Sequence, residues 1–387
     1  MRSRSFSNLI LDYNERLCRS YISSIKNIKI VRFPNERGWR RNTCLAKSTK
    51  QTETGDDPVQ RGWAVSTDIE SIGWYLTDLN VDEGDYLAGL VVTAMMVLEH
   101  LDLPEYFSRF SNRIFGDRWK FGLLVLKEYL DVSYEDLVRM LPSFRGVLDA
   151  GGAPRIPHKD TLRKFSGRLP EGLLDRVIGE TARLMCGPDI LMAVDSTGFS
   201  ESNASRHFVK RLKYFGNENT VVRDFAKATF AVDTGSLVIV SCDVTDSHHA
   251  DIKRFAPVLA LAKDTGVNVS KIVADKGYDS EQAHVDARGI LGACVETVIP
   301  TRELEPKSGK LAWECLPKGW FRKIMARDLD KAAYALRCLV ETVNSMVKRK
   351  MGDVVYGKTL ASMAREIKFA CIAHNTRLLI DSGLVRI

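Results

Sequence analysis

From residue 188 onward, short apolar runs alternate with amphipathic segments, and this alternation limits the possible folds more than any other feature. Residues 189–199 form a compact apolar run, and residues 227–247 predict two strands joined by an Asp-Thr-Gly turn. Apolar runs at residues 269–280 and 294–301 each follow a helix-like segment, and residues 302–328 are predicted to be irregular. A hairpin followed by strands that alternate with helices predicts a mixed α/β sheet covered by helices on both faces.

The preceding chain divides into two regions by composition. Residues 1–50 contain 12 Lys and Arg residues against 3 Asp and Glu residues, and a polar, turn-rich stretch follows. We predict a basic arm and linker, partly disordered, over residues 1–80. The arm could contact phosphates, and a solvated tail is an equally simple interpretation. Residues 81–187 carry apolar side chains at helical spacing, and the basic residues within 156–169 favour a helix-turn-helix-like DNA-binding domain.

Composition indicates the cellular compartment of the protein and the kinds of partner that it can have. The eight cysteines are scattered, with no Cys-x-x-Cys pair and no zinc-like spacing, which favours a reducing, cytoplasmic compartment. The longest apolar run, residues 87–98, is too short to cross a bilayer and predicts a buried helix, so no membrane partner is expected. The net charge of +7 is compatible with an acidic partner such as DNA.

Three acidic residues stand where a metal site could form. Asp195 and Asp275 are predicted to end the first and fourth strands, and Glu341 lies on a predicted helix over residues 334–348. Ligands of open α/β sheets bind beyond the carboxyl ends of parallel strands. Clustered carboxylates suit Mg²⁺ or Mn²⁺ and are a known basis of two-metal phosphoryl transfer. Either aspartate could instead simply stabilise a turn, so the hypothesis depends on the three acids together.

The predicted helix also carries a polar ridge. Tyr334, Arg337, Glu341 and Lys348 fall within a stripe about 60° wide when projected along an α-helix. Taken alone, this pattern is more typical of ordinary surface ion pairs at i,i+4 spacing. The strand-end aspartates favour a functional interpretation, in which the basic and phenolic groups hold a DNA strand beside the acids.

Together these motifs resemble those of DDE transposases of prokaryotic insertion sequences, in the group with a Tyr-x2-Arg-x3-Glu-x6-Lys signature. The ridge meets that spacing in full, Asp195 stands in AVDSTGF and Asp275 stands in VADKGYDS. The resemblance covers roughly residues 120–380. It implies a ribonuclease H-like mixed sheet flanked by helices over residues 188–387, preceded by the all-helical region.

The resemblance also implies an activity. Asp195, Asp275 and Glu341 would be the catalytic residues and would hold two Mg²⁺ ions, for which Mn²⁺ can substitute. The expected reaction is DNA cleavage at the ends of the insertion sequence, followed by transfer of the 3′-hydroxyl into target DNA. The expected partners are double-stranded DNA, with terminal inverted repeats and a target site, and a second copy in a homodimer. The expected location is the nucleoid within the cytoplasm.

Basic and aromatic side chains near the acids are predicted to bind DNA. Two belong to the motif around Asp275, three to the ridge, and three to the segment 206–215, which could equally be a solvated basic helix. These residues are Lys276, Tyr278, Tyr334, Arg337, Lys348, Lys210, Arg211 and Lys213.

Three other functions stay open at the level of sequence. A metal-dependent DNA nuclease or resolvase would use the same acids without strand transfer. A domesticated transposase could persist as a DNA-binding regulator. The acids could also bind a purely structural cation.

Overall fold

The computed structural model describes residues 85–152, 155–202, 225–302 and 317–384, and every structural statement below refers to these ranges. The predicted basic arm over residues 1–80 lies outside them. So do Lys210, Arg211 and Lys213 of the predicted DNA-contacting segment.

Helices dominate the part of the described chain that precedes the sheet. They are α1 Tyr86–His100, α2 Asp117–Leu130, α3 Tyr134–Met140, α4 Arg145–Gly151, α5 Lys159–Gly167 and α6 Leu173–Met185. The apolar run at residues 87–98 is buried within α1, as predicted. Across the described ranges, no helix combines the length and apolarity that crossing a membrane requires.

A mixed six-stranded sheet follows, with helices between and after its strands. The central order is β3-β2-β1-β4-β5, and β6 pairs with the end of β1. β1 is antiparallel to β2, whereas β1 with β4 and β4 with β5 are parallel. This arrangement confirms the ribonuclease H-like expectation. The strands and later helices are β1 Ile190–Glu201, β2 Phe225–Asp233, β3 Ile239–Asp246, α7 Ile252–Asp264, β4 Val269–Ala274, α8 Glu281–Leu291, β5 Glu296–Val298, α9 Trp320–Arg327, α10 Lys331–Ala335, α11 Cys338–Met351, β6 Val354–Val355 and α12 Leu360–Asp381.

Two hydrophobic clusters cover the two faces of the sheet, because successive side chains of a strand point to opposite faces. On β1, Ala193 joins the cluster formed with α1, α2, α11 and α12. Met192 and Val194 join the cluster formed with α7 and α8. The first cluster crosses the predicted boundary between residues 187 and 188, so the helical region and the sheet share one core. The proposed domain division itself stays a prediction.

Three local predictions are corrected. β1 continues to Glu201, so Asp195 lies within the strand instead of at its end. The segment 302–328, predicted as irregular, contains helix α9 in its described part. The predicted helix over residues 334–348 is interrupted, since α10 ends at Ala335 and α11 begins at Cys338. At the interruption, Arg337 N donates to the Tyr334 carbonyl at 3.0 Å, a tighter i→i−3 turn.

Candidate active site beside strands β1 and β4

Asp195 and Asp275 are neighbours on one face of the sheet. The parallel β1–β4 ladder ends with the pair Val194↔Ala274, and the two aspartates are the next residues on their strands. Adjacent strands lie about 4.8 Å apart, so this register brings the two carboxyl groups side by side. The alternation along β1 places Asp195 on the same face as Ala193, which is the face covered by α11. The register therefore brings two of the three predicted acids together.

Burial is the main influence on the Asp195 carboxyl. The pKa of Asp195 is raised to about 6, chiefly by burial, and the nearby Glu341 and Asp275 carboxylates act in the same direction. The backbone N–H of Ser196 and the Arg337 guanidinium act in the opposite direction. These interactions place Glu341, Arg337 and Asp275 close enough to Asp195 to affect its charge. A half-buried carboxyl with two acidic neighbours is stabilised in its ionised form by a cation.

Glu341 approaches this face from the first turn of α11. Its side chain is 53% exposed, and its carboxylate accepts a hydrogen bond of 2.6 Å from Arg337. The tight turn at residues 336–337 starts α11 just before Glu341, so the positive end of the helix dipole favours the ionised carboxylate. The third predicted acid is therefore accessible, but it is paired with a cation of its own ridge.

The remaining ridge residues contact the two strands. The Tyr334 hydroxyl donates to Asp275 Oδ1 at 3.3 Å, and its ring faces the Arg337 guanidinium at 5.8 Å. Lys348 Nζ donates to the Gly198 carbonyl of β1 at 2.7 Å and lies 5.2 Å from the centre of the Phe199 ring. Burial lowers the pKa of Lys348. Tyr334, Arg337 and Glu341 thus lie close to the two aspartates although the helix is broken, whereas Lys348 lies further along β1.

The two predicted DNA contacts beside Asp275 differ in accessibility. Lys276 is exposed in the 3₁₀ turn that follows Asp275. Tyr278 is only 1% exposed, and its hydroxyl lies 2.9 Å from Ser196 Oγ. Its predicted role in DNA binding is therefore corrected, because a buried and already bonded phenol cannot reach a DNA strand. The sequence analysis did not identify Ser196 or its cross-strand neighbour Thr229. The position of Ser196 directly after Asp195 was the only sequence feature that could have drawn attention to it, and Thr229 had none.

The carboxylate groups of the three acids are suitable ligands for a hard divalent cation, but the three side chains are not grouped around one point. Hard oxygen ligands are what Mg²⁺ and Mn²⁺ prefer. Within the described ranges, however, no three His, Cys, Asp or Glu side chains are grouped closely enough to hold a metal ion. The Arg337–Glu341 pair accounts for the difference, because it directs the third carboxylate to a guanidinium. Asp195 and Asp275 are held side by side by the strands, whereas Glu341 is held by Arg337.

A ribonuclease H-like sheet with adjacent aspartates, faced by a glutamate on a helix, defines a class of enzymes that transfer phosphoryl groups of nucleic acids. Comparison with known families gives the more specific assignment. Residues 187–376, just under half of the chain, match the family model described as the transposase DDE domain. This domain indicates a transposase, that is, a DNA endonuclease and polynucleotidyl transferase, and it implies a DNA substrate. Enzymes of this family generally use divalent metal ions. No curated protein matches the sequence.

Proposed function

We propose that this transposase cleaves DNA at the ends of an insertion sequence and transfers the resulting 3′-hydroxyl into target DNA. One observation carries the proposal: Asp195 and Asp275 directly follow the last pair of the β1–β4 ladder, on the sheet face covered by the helix that bears Glu341. Carboxylates concentrated in this way suit phosphoryl transfer assisted by metal ions. The match of this segment to the transposase DDE domain supports the same reaction.

Asp195, Asp275 and Glu341 are the residues that would hold two Mg²⁺ ions, with Mn²⁺ as a substitute. Bound in this way, the ions would supply positive charge to the attacking and leaving oxygens. The protein itself fixes the two aspartates through strand register and offers Glu341 from a helix. Arg337 holds one carboxylate oxygen of Glu341, and we expect this bond to open when Glu341 turns to the cations.

Opening that bond frees the Arg337 side chain to bind a DNA phosphate. The planar guanidinium of Arg337 can donate two parallel hydrogen bonds to a phosphate, and Lys348 adds a point charge on the same helix side. The exposed Lys276 extends the positive charge beyond Asp275. We further propose that Lys210, Arg211 and Lys213 contact the same DNA.

The proposed partners are double-stranded DNA carrying terminal inverted repeats, a target duplex, and a second copy of the chain. Holding two DNA ends at once calls for two active sites, which supports a homodimer. A location on the nucleoid follows from these partners.

The experiment that tests the reaction uses an end-labelled duplex carrying the inverted repeats that flank the reading frame, a target plasmid and Mg²⁺. We expect labelled ends to be cut and then joined to the plasmid. Chelation or Glu341→Gln should remove both products, whereas Glu171→Gln, at an exposed glutamate outside the site, should leave them unchanged. Cut ends without joined products would establish a nuclease and overturn strand transfer. Absence of cleavage with both Mg²⁺ and Mn²⁺ would overturn the enzymatic proposal.

A further inference from the structure

Three hydroxyl groups form a continuous contact beneath the two aspartates. Ser196 Oγ lies 2.9 Å from Tyr278 Oη and 2.9 Å from Thr229 Oγ1. Tyr278 and Thr229 are each 1% exposed. Ser196 follows Asp195 on β1 and points to the opposite sheet face, where Tyr278 belongs to the cluster with α7 and α8. The three hydroxyls therefore lie under the site and do not face the DNA side.

This contact links the backbones on which the two aspartates stand. Tyr278 closes the turn that begins at Asp275, since its N–H donates to the Asp275 carbonyl at 2.9 Å. Ser196 is covalently next to Asp195, and its N–H donates to the Asp195 carboxylate. Thr229 is the register partner of Ser196 on β2. The chain of contacts thus runs from the turn of Asp275 through β1 to β2.

The position of this link matters because the backbone ladder has already ended. The last β1–β4 pair is Val194↔Ala274, one residue before each aspartate. Beyond that pair, β4 gives way to the 3₁₀ turn Lys276–Tyr278, whereas β1 continues along β2 and meets β6 only at Ser200 and Glu201. The Tyr278–Ser196 contact is therefore a side-chain bond that spans the gap where strand pairing stops.

We propose that Tyr278 and Ser196 are positioning residues that hold Asp195 and Asp275 at the separation needed to share a divalent cation. The inference rests on the proposed function, because it assigns the two aspartates to a metal site. Side chains that orient metal ligands from behind commonly change metal affinity 10- to 100-fold when they are removed. The same contact explains why a tyrosine stands in the turn although it cannot reach DNA.

The hydroxyl can be separated from the ring in an experiment. The Tyr278 ring packs against Phe255 with centroids 5.5 Å apart, a contact that phenylalanine would retain. Burial raises the pKa of Tyr278, so the phenol keeps its proton and Tyr278→Phe removes one hydrogen-bonding group without removing a charge. Ser196→Ala removes the other end of the contact. Tyr134→Phe is the matched control, because it removes a phenol bonded to Ser166 in the helical region.

The test measures Mn²⁺ binding to the full-length protein without DNA by electron paramagnetic resonance, together with thermal unfolding. We expect Tyr278→Phe and Ser196→Ala each to weaken Mn²⁺ binding about 10-fold, and Tyr134→Phe to leave it unchanged. The double variant should bind about as weakly as either single variant, since both changes break one contact. The Mg²⁺ concentration for half-maximal DNA cleavage should rise in parallel.

The outcomes separate this inference from the proposed reaction. If the parent binds Mn²⁺ and the variants bind it equally well, with only their melting temperatures lowered, the contact is purely structural and the inference is overturned. If the parent fails to bind Mn²⁺, the inference is overturned as well. If binding weakens as expected but the parent joins no DNA, the positioning role stands while the proposed strand transfer fails. Ser196→Ala decides the question should Tyr278→Phe fail to fold.

Discussion

The strand side of the site, Asp195 with Asp275, and its helix side, Glu341 with Arg337, are held by different kinds of contact. The strand side is fixed by the β1–β4 ladder and by buried hydroxyl groups. The helix side depends on one ion pair whose glutamate is 53% exposed. Exposed ion pairs contribute little to stability and change partners easily. Two of the three acids are therefore set by the fold, whereas the third is adjustable.

The two sides also differ in the electrostatic state of their acids. Burial raises the pKa of Asp195, so its ionised form is disfavoured without a cation. Glu341 has a cationic partner and the favourable end of a helix dipole. An ionised Asp195 on the strand side is therefore destabilised unless a cation is near. On the helix side, the charge of Glu341 is already balanced by Arg337.

The largest effect that we expect concerns the buried support behind the strand side. His284 on α8 is fully buried, its Nδ1 lies 2.6 Å from Thr297 Oγ1 of β5, and burial lowers its pKa to about 4. A lowered folded-state pKa gives stability that is complete above about pH 6.5 and is lost as the pH falls toward 4. Between pH 7.5 and 5, the parent should lose about 2 kcal/mol more unfolding free energy than His284→Asn.

Urea unfolding at the two pH values measures this difference. The exposed His158 provides the control, since His158→Asn leaves His284 in place and should retain the loss of about 2 kcal/mol that His284 causes. Equal losses in the parent and His284→Asn would show that this buried histidine does not support the strand side. His374 also has a pKa lowered by burial to about 4, and its contribution should be the same in all three proteins.

Removing an acid should change the free energy of unfolding by a smaller amount, with opposite signs on the strand side and the helix side. Without divalent cations at pH 8, Asp195→Asn should raise the free energy of unfolding by about 1 kcal/mol, because it removes a largely buried charge. Glu341→Gln removes an exposed ion pair and should lower it by about 0.5 kcal/mol at most. Denaturant titration of both variants measures the difference. A loss of stability in both would mean that the strand side carries no excess electrostatic cost.

The smallest effect tests whether Arg337 competes with a cation for Glu341. Arg337→Gln should strengthen Mn²⁺ binding in the absence of DNA by a few-fold, since an exposed ion pair is worth about 0.2–1 kcal/mol. Arg349→Gln, at an exposed arginine in the last turn of α11, is the control for the change in net charge. Calorimetric titration measures both. An equal gain in the two variants would show that net charge, and not release of Glu341, sets the affinity.

The sequence predicted where the first five strands lie along the chain, because apolar runs and turn residues are local signals. It also predicted the three candidate acids from their positions relative to those elements. It could not show the register that brings Asp195 beside Asp275, since pairing partners are set by contacts between distant segments. It placed Asp195 at a strand end because a compact apolar run ends in that acid, but β2 pairs with β1 past that point.

The site residues show the same limit. Tyr334, Arg337, Glu341 and Lys348 were found by their spacing, yet the projection assumed one continuous helix, and the chain tightens at residues 336–337. Tyr278 was assigned to DNA because it stands beside an acid in a turn. Its burial depends on packing against α7, which no local pattern reveals.

The position of Asp195 directly after the β1–β4 ladder limits which codon deletions the gene can tolerate. Because side chains alternate along a strand, the loss of one codon between residues 190 and 194 would turn the position of the first aspartate toward the opposite face of the sheet. The reading frame and every acid would survive, yet the two carboxylates would no longer meet. The stretch before Asp195 is therefore constrained in its number of residues as well as in their kind, and copies of the gene can be silenced there without any change to an acidic codon.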